Sequence, residues 1–421
     1  MAGAVSAPHA SAQYARVPAR DSAAADSLAT RLRHAEEAIA ILQQQLGEQA
    51  AQAGTTRSRM RFELSGRALL SVYHNERAVN NVDNPALVRP DAVSALPLSS
   101  FGMTARQTTL GLAVFADSVL GGRFTGDVDV DFYGGQQPTN GNRTFPLIRL
   151  RVFRGIVRWT NGELLIGQET PLISNLNPVS IAAVGSPLFG AAGNLWFWLP
   201  QVRGSIDLPA REGSTLRFGA QAAVLANLSG DAVGLFDTDA DPAERTGRPA
   251  LQGRLRARWG DDPDHPSEIG CGPHLSWVFN ASNTMIQSSG AACDARIALG
   301  ARLTLLGEAY SGRALRGLGG GGIGQNFGRD GSALRDTGGW AQLNVVVASP
   351  LRAGVGCGTD RPDQDAVAVG GRLRNSACAA HLIARPAGPL FLGLEMRRQE
   401  TTYSTGTFRN HHLALGTGFE F

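Results

Sequence analysis

The chain has 421 residues, 18% of them charged, and a formal net charge of +3 carried entirely by arginine, since lysine is absent. So small an excess does not point to nucleic acid, and no stretch is apolar over the ~20 residues that a membrane helix needs. The 52 glycines favour turn-rich β structure over helices.

In chain order, Ala10-Ser11-Ala12-Gln13 reads as the end of an export signal, and residues 1–20 as its remainder or a disordered start. From Asp21 or Ser22, a candidate helix cap, the pattern changes. Ala25, Leu28, Leu32, Ala35, Ile39, Leu42, Leu46 and Gln49 alternate at three- and four-residue spacing, the a and d positions of a heptad. So short a repeat is marginal alone. Residues 21–50 are therefore expected to form a periplasmic coiled coil with other copies of the chain, followed by a linker over 51–59.

From Met60 onward the period is two. Phe62, Leu64, Ala68, Leu70 and Val72 alternate with Arg61, Glu63, Ser65 and Arg67. A second strand is predicted over Thr104–Ala116, with its turn at Asp117-Ser118. The next strand carries Asp127, Asp129 and Asp131 on one face. Its neighbour carries Arg149 and Arg151 in one phase, then Arg154 and Arg158 in the other; a bulge near Val152 would bring all four to one side. A third strand ends in Gln168-Glu169 after an Asn161-Gly162 turn. A weakly charged excursion with Phe189, Trp196, Phe197 and Trp198 follows over 171–200. Later strands bring Arg203, and then Arg254, Arg256 and Arg258 on one face.

The strand count reaches about sixteen, short connections alternate with long ones, and the last strand alternates up to a terminal Phe421. These features predict an all-β transmembrane antiparallel barrel over 60–421, with 171–200 as a constriction loop. The terminal strand resembles the signal read by the barrel-assembly machinery of Gram-negative outer membranes. The four cysteines fall in two predicted hairpins whose registers bring Cys271 level with Cys293 and Cys357 level with Cys378. Two disulfides, or four small apolar side chains facing lipid, satisfy that placement. No CxxC or HxxxH spacing suggests a metal, and no nucleophile elbow, phosphate loop or zinc-protease motif suggests an enzyme or a cofactor. His411 and His412 point to opposite faces of one strand, with His412 assigned to the lumen.

Three phrases resemble the DcaP-like trimeric outer-membrane porins: Ile148-Arg149-Leu150-Arg151-Val152-Phe153-Arg154-Gly155, Leu164-Leu165-Ile166-Gly167-Gln168-Glu169-Thr170, and Leu199-Pro200-Gln201-Val202-Arg203. The coiled-coil segment ahead of the barrel is a further likeness, whereas Glu169 departs from the pattern by adding negative charge. The resemblance implies a homotrimer in the outer-membrane lipid that passes small anionic solutes. In the lumen, Asp127, Asp129, Asp131, Arg149, Arg151, Arg154, Arg158, Gln168, Glu169, Arg203, Arg254, Arg256 and Arg258 are the expected pore-lining residues. The arginines either pair with the carboxylates or form a basic ladder for anions. The competing expectation is a structural anchor whose coiled coil tethers the envelope.

Overall fold

The computed structural model describes residues 60–90, 99–134, 147–209, 213–231, 239–260 and 266–421. The export signal, the coiled coil over 21–50 and the linker lie outside the described residues.

Seventeen strand segments form one antiparallel sheet. They are β1 (Arg61–Asn75), β2 (Ser100–Thr104), β3 (Thr109–Val119), β4 (Gly122–Gly134), β5 (Leu147–Arg158), β6 (Gly162–Glu169), β7 (Leu199–Asp207), β8 (Arg217–Leu225) and β9 (Ala250–Trp259). The remainder are β10 (Ser267–Phe279), β11 (Met285–Ala298), β12 (Leu303–Arg313), β13 (Arg335–Ala348), β14 (Leu351–Pro362), β15 (Arg372–Ala384), β16 (Leu390–Tyr403) and β17 (Gly406–Glu420). From β3 on, each pairs with its neighbour in sequence, and β1 pairs with β17 from Arg67↔Glu420 to Asn75↔His412, so the sheet closes. Both β2 and β3 pair with β1, along its far and near halves. They are one barrel strand broken at 105–108, which makes sixteen strands around the wall.

Two boundaries differ from expectation. The strand through β3 runs on to Val119 and turns at Leu120-Gly121, not at Asp117-Ser118. Leu120 and Gly121 both have positive φ, the backbone that a two-residue hairpin requires. The break between β2 and β3 exists because Arg106 and Gln107 turn inward to buried partners, leaving the ladder.

Burial is inverted relative to a soluble protein. Leu255 is 71% exposed while its neighbour Arg254 is 2% exposed. Leu64, Phe101, Ile166 and Leu394 likewise face outward, and Asp131, Glu395, Arg397 and His412 are buried. This is the period-2 alternation of a wall with lipid on one side and a polar lumen on the other. The long connections 76–99, 170–198 and 314–334 open from one rim, and the two-residue connections 120–121 and 349–350 from the other.

The buried apolar residues are not a core between strands. They sit where loop residues meet the inner wall. Leu172, Ile173 and Leu195 pack with Leu199, Leu225, Tyr310 and Leu318. Leu188, Phe189 and Ala192 pack with Leu306, Trp340 and Ala377. Ile181 and Ala182 pack with Leu69, Ile383 and Phe391. The excursion 170–198 is therefore seated inside the barrel and touches its wall at three places.

Candidate functional site

A loop buried inside a barrel must satisfy its own backbone. Lumen-facing side chains of the wall do this, acting as substitute strand partners. Gln252 Oε1 accepts from Leu172 N at 2.7 Å, and Glu308 accepts from Leu195 N at 3.3 Å and from Ser174 Oγ at 2.5 Å. Gln342 accepts from Val179 N at 2.7 Å and donates back to Val179 O at 2.8 Å. Glu395 accepts from Ile181 N at 3.0 Å, and Asn375 donates to Ala191 O at 2.7 Å. Small wall residues let the loop come this close. A side chain at Gly358 would place its Cβ 2.2 Å from Ala192 O.

Two further segments fold inward that the sequence pattern did not reveal. In residues 76–90, Val79 and Val88 are buried. Asp83 takes the Arg106 guanidinium at 2.7 Å and the Tyr133 hydroxyl at 2.6 Å. Asn84 donates to Ser186 O of the long loop at 2.7 Å and accepts from Arg397 at 2.8 Å. From the third segment, Leu318 O accepts from Trp196 N at 2.8 Å and Phe197 N at 3.1 Å. The apolar residues Val79, Val88, Leu315 and Leu318 inside these loops were the available signal, but they follow no period.

The residues expected to line the lumen distribute as follows. In β4, Asp127, Asp129 and Asp131 face inward. The bulge in β5 falls at Arg151: Asp129 pairs with Val152 and Val130 with Leu150, so Arg151 is the extra residue. This change of phase keeps Arg149, Arg151 and Arg154 on the lumen side. Arg149 binds Asp131 at 2.8 Å and also donates to Val184 O of the long loop at 2.8 Å. Arg151 lies 3.6 Å from the same carboxylate, and its Nε has no hydrogen-bond partner. Arg154 joins Asp127 at 2.8 Å and also pairs with Glu169. Arg158 pairs with Glu163 at 2.6 Å near the short-turn rim.

Gln168 is the exception: it does not line the lumen. It is opposite Phe153 and Pro200 on the outer face, and it donates to Arg151 O at 2.9 Å and Leu150 O at 3.3 Å. With Glu169 inward, strand alternation sends Gln168 outward. There it satisfies carbonyls that the bulge leaves without ladder partners. Gly167 beside it has φ 142°, and a Cβ would fall 2.0 Å from Phe153 O, so the strand passes the bulge only with glycine there.

Farther round the wall, the arginines are held. Arg203 is buried and donates to Thr170 O and Gln201 Oε1, each at 2.8 Å. Arg254 binds Asp294 and Glu268, each at 2.6 Å, and Gln221 at 2.9 Å. Arg256 and Arg258 share Asp207, the former at 2.9 Å. Arg254 is matched by two carboxylates, Arg256 and Arg258 share one, and Arg203 is held by neutral oxygens, so this arc of the wall is a hydrogen-bonded network and not a row of unpartnered arginines. His412 faces inward and meets Asn75 at 3.0 Å; His411 faces outward and meets Glu76 at 2.7 Å.

The loop aromatics are inside the barrel, not on its outer belt. Phe189 is buried against Trp340, at 6.2 Å between ring centres, and so cannot stack a solute. Trp198 has the Arg149 and Arg151 guanidinium carbons at 5.3 and 5.0 Å from its ring centre. Beneath the loop segment Ser180–Val184 lies a cavity of about 380 Å³, bounded by Arg67, Gln107, Thr109, Arg151 and Glu420. One carboxylate, Glu420, borders this space; Asp131 is buried behind Arg151, and each of the two is shared by two arginines. Asp131 serves Arg149 and Arg151, and Glu420 serves Arg67 and Arg385, both at 2.6 Å.

The two cysteine pairs occupy facing positions in their hairpins and are bonded, Cys271 to Cys293 and Cys357 to Cys378. All four are on the exposed outer face, away from the lumen. Among the described residues, no group of three or more His, Cys, Asp or Glu side chains is arranged to hold a metal.

A closed sixteen-stranded antiparallel barrel, apolar outside, charged inside and with a loop seated in its lumen, is an outer-membrane porin fold. The chain is similar to the outer membrane channel DcaP of Acinetobacter baumannii, with a TM-score of 0.64 and 17% identity over 88% of this chain and 99% of that one. It is also similar to an anion-selective porin from Comamonas acidovorans, with a TM-score of 0.56 and 12% identity over 86% of this chain and 100% of the other. Pseudomonas putida OprB matches with a TM-score of 0.53 and 9% identity over 86% and 94%. No family model and no curated protein sequence matches the chain.

Proposed function

We propose that this protein is an outer-membrane porin, assembled as a homotrimer, that passes small hydrophilic solutes by passive diffusion with a weak preference for anions. The observation that carries the reading is the loop 170–198 seated inside a closed barrel, with a polar cavity left beside it. Selectivity follows from local charge placement. Arg149 and Arg151 share Asp131 while Asp129 on the same face has no ion pair of its own among the described residues, so preference rests on which of these charges a passing solute meets, in a field that low-dielectric walls sharpen. Arg151 is the first candidate, because it is 3.6 Å from an Asp131 already held by Arg149 and its side chain borders the cavity. The opposing group is Asp129, on the same face and without an ion pair among the described residues. Weak contacts of this kind allow a solute to enter and to leave again.

The test is reconstitution into a planar bilayer with a salt gradient. Stepwise conductance with anion-favouring reversal is expected, and protein that does not conduct would defeat the pore reading. One unit charge at 4 Å is worth about 1 kcal/mol in water, roughly a fivefold change in occupancy. Arg151→Ala should therefore reduce the anion preference by up to that factor, and Asp129→Asn should raise it. Selectivity unmoved by either substitution would remove Arg151 from the mechanism.

A further inference from the structure

On the outer wall, far from the lumen site, an apolar depression of about 510 Å³ lies across β7 to β10. Ala222 pairs with Gly253, and neither carries a side chain large enough to fill the surface between Val224, Leu251, Leu275 and Pro273. Strand β10 continues this face toward the long-loop rim through Trp277 and Phe279. At that rim two arginines of the connection between β8 and β9 lie over these rings. Arg248 has its guanidinium carbon 4.9 Å from the Trp277 ring centre, and Arg245 is 5.6 Å from that of Phe279.

Both arginines are exposed, and neither forms an ion pair within 4.0 Å among the described residues. Arg245 has only a long contact to Asn283 Oδ1, at 3.4 Å. Two acids of the same connection are engaged elsewhere: Asp241 accepts from Ser229 N at 2.8 Å and Ala243 N at 2.7 Å, and Glu244 accepts from Asp241 N at 2.9 Å. The backbone that presents the pair is fixed. Asn227 Nδ2 donates to Trp277 O at 2.7 Å, Arg248 O at 3.2 Å and Ala243 O at 3.3 Å, and Phe279 N donates to Pro242 O at 3.1 Å. Two cations are thus held above aromatic rings, with an apolar trough directly below them on the membrane side.

Long loops mark the outward-facing rim of such barrels. An arginine fork fits a phosphate, and a trough of exposed Val and Leu fits an acyl chain. We infer that this face binds one phosphorylated, acylated glycolipid of the outer leaflet, its phosphate on Arg245 and Arg248 and an acyl chain along Leu275, Leu251 and Val224. The site adds to the porin reading and rests on it only for membrane placement. Conductance reports on that reading independently.

The experiment is native mass spectrometry of the full-length protein in detergent, incubated with bisphosphorylated lipid A and, separately, with its dephosphorylated form. Wild-type protein is expected to retain the bisphosphorylated form preferentially. Losing two charge-assisted phosphate contacts should weaken binding by at least about tenfold, so Arg245→Ser with Arg248→Ser should abolish the preference while single-channel conductance stays unchanged. Gly253→Phe, which fills the trough, should reduce retention of both forms. Equal retention by wild type and the double variant would overturn the inference. So would dissociation of the double variant into monomers, which would make this face a subunit contact.

Discussion

Gln168 is where single residues and strand geometry part company. Its neighbours Gly167 and Glu169 face the lumen, so a pleated strand has no choice about where Gln168 goes. Its amide then holds the two carbonyls at the Arg151 bulge from the outer side. An unsatisfied carbonyl facing lipid has no water to turn to. Gln168→Leu should therefore destabilise the barrel by about 1–3 kcal/mol, read as a lower temperature for the loss of heat-resistant mobility in gels. The same substitution should leave ion selectivity unchanged, as a lumen residue would not. The charges at this site were readable in the sequence, because alternation alone assigns Asp127, Asp129 and Asp131 to one face. Their partners were not. Whether Arg154 serves Asp127, Glu169 or a solute depends on register and on the bulge, which a run of residues does not specify.

At the scale of elements, the inward loop is positioned by what the wall lacks as much as by what it supplies. Gly358 has space for the Ala192 carbonyl only because it has no Cβ. Gly358→Val would push the loop segment carrying Leu188, Phe189 and Ala192 off Trp340 and Ala377. Overpacking of that kind costs about 1–3 kcal/mol. The expected readout is a higher or noisier single-channel conductance with the barrel still assembled; unaltered conductance would show that this docking point does not set the aperture. The strands were legible, since polar-in, apolar-out alternation over twelve or so residues has few other causes. The loop 170–198 was legible from its length and low charge between Pro171 and Pro200. The inward course of 76–90 and 314–334 was not, because Asn84 meets Ser186, Pro85 meets Gln399 and Leu318 meets Trp196 only once the barrel has closed. Contacts between distant loops leave no local period to read.

For the whole molecule, the inverted burial decides the environment. A surface carrying Leu64, Phe101, Ile166, Leu255 and Leu394 outward would aggregate in water, and it is at rest in a hydrocarbon layer. Closure of β1 onto β17 removes the free edges that an open sheet would expose there. The lumen proposed as the pore is enclosed by one chain, since the loop 170–198 docks on that chain's own wall. Association into the proposed trimer would then be a matter of the outer face and of the heptad proposed over residues 21–50, not of building the lumen. Deleting residues 21–50 should accordingly lower the trimeric share in native gels while leaving the conductance and selectivity of each pore unchanged. Loss of conductance would place those residues in the channel itself. Retained conductance with a leaking, detergent-sensitive envelope would instead favour the tether as the principal role of the chain.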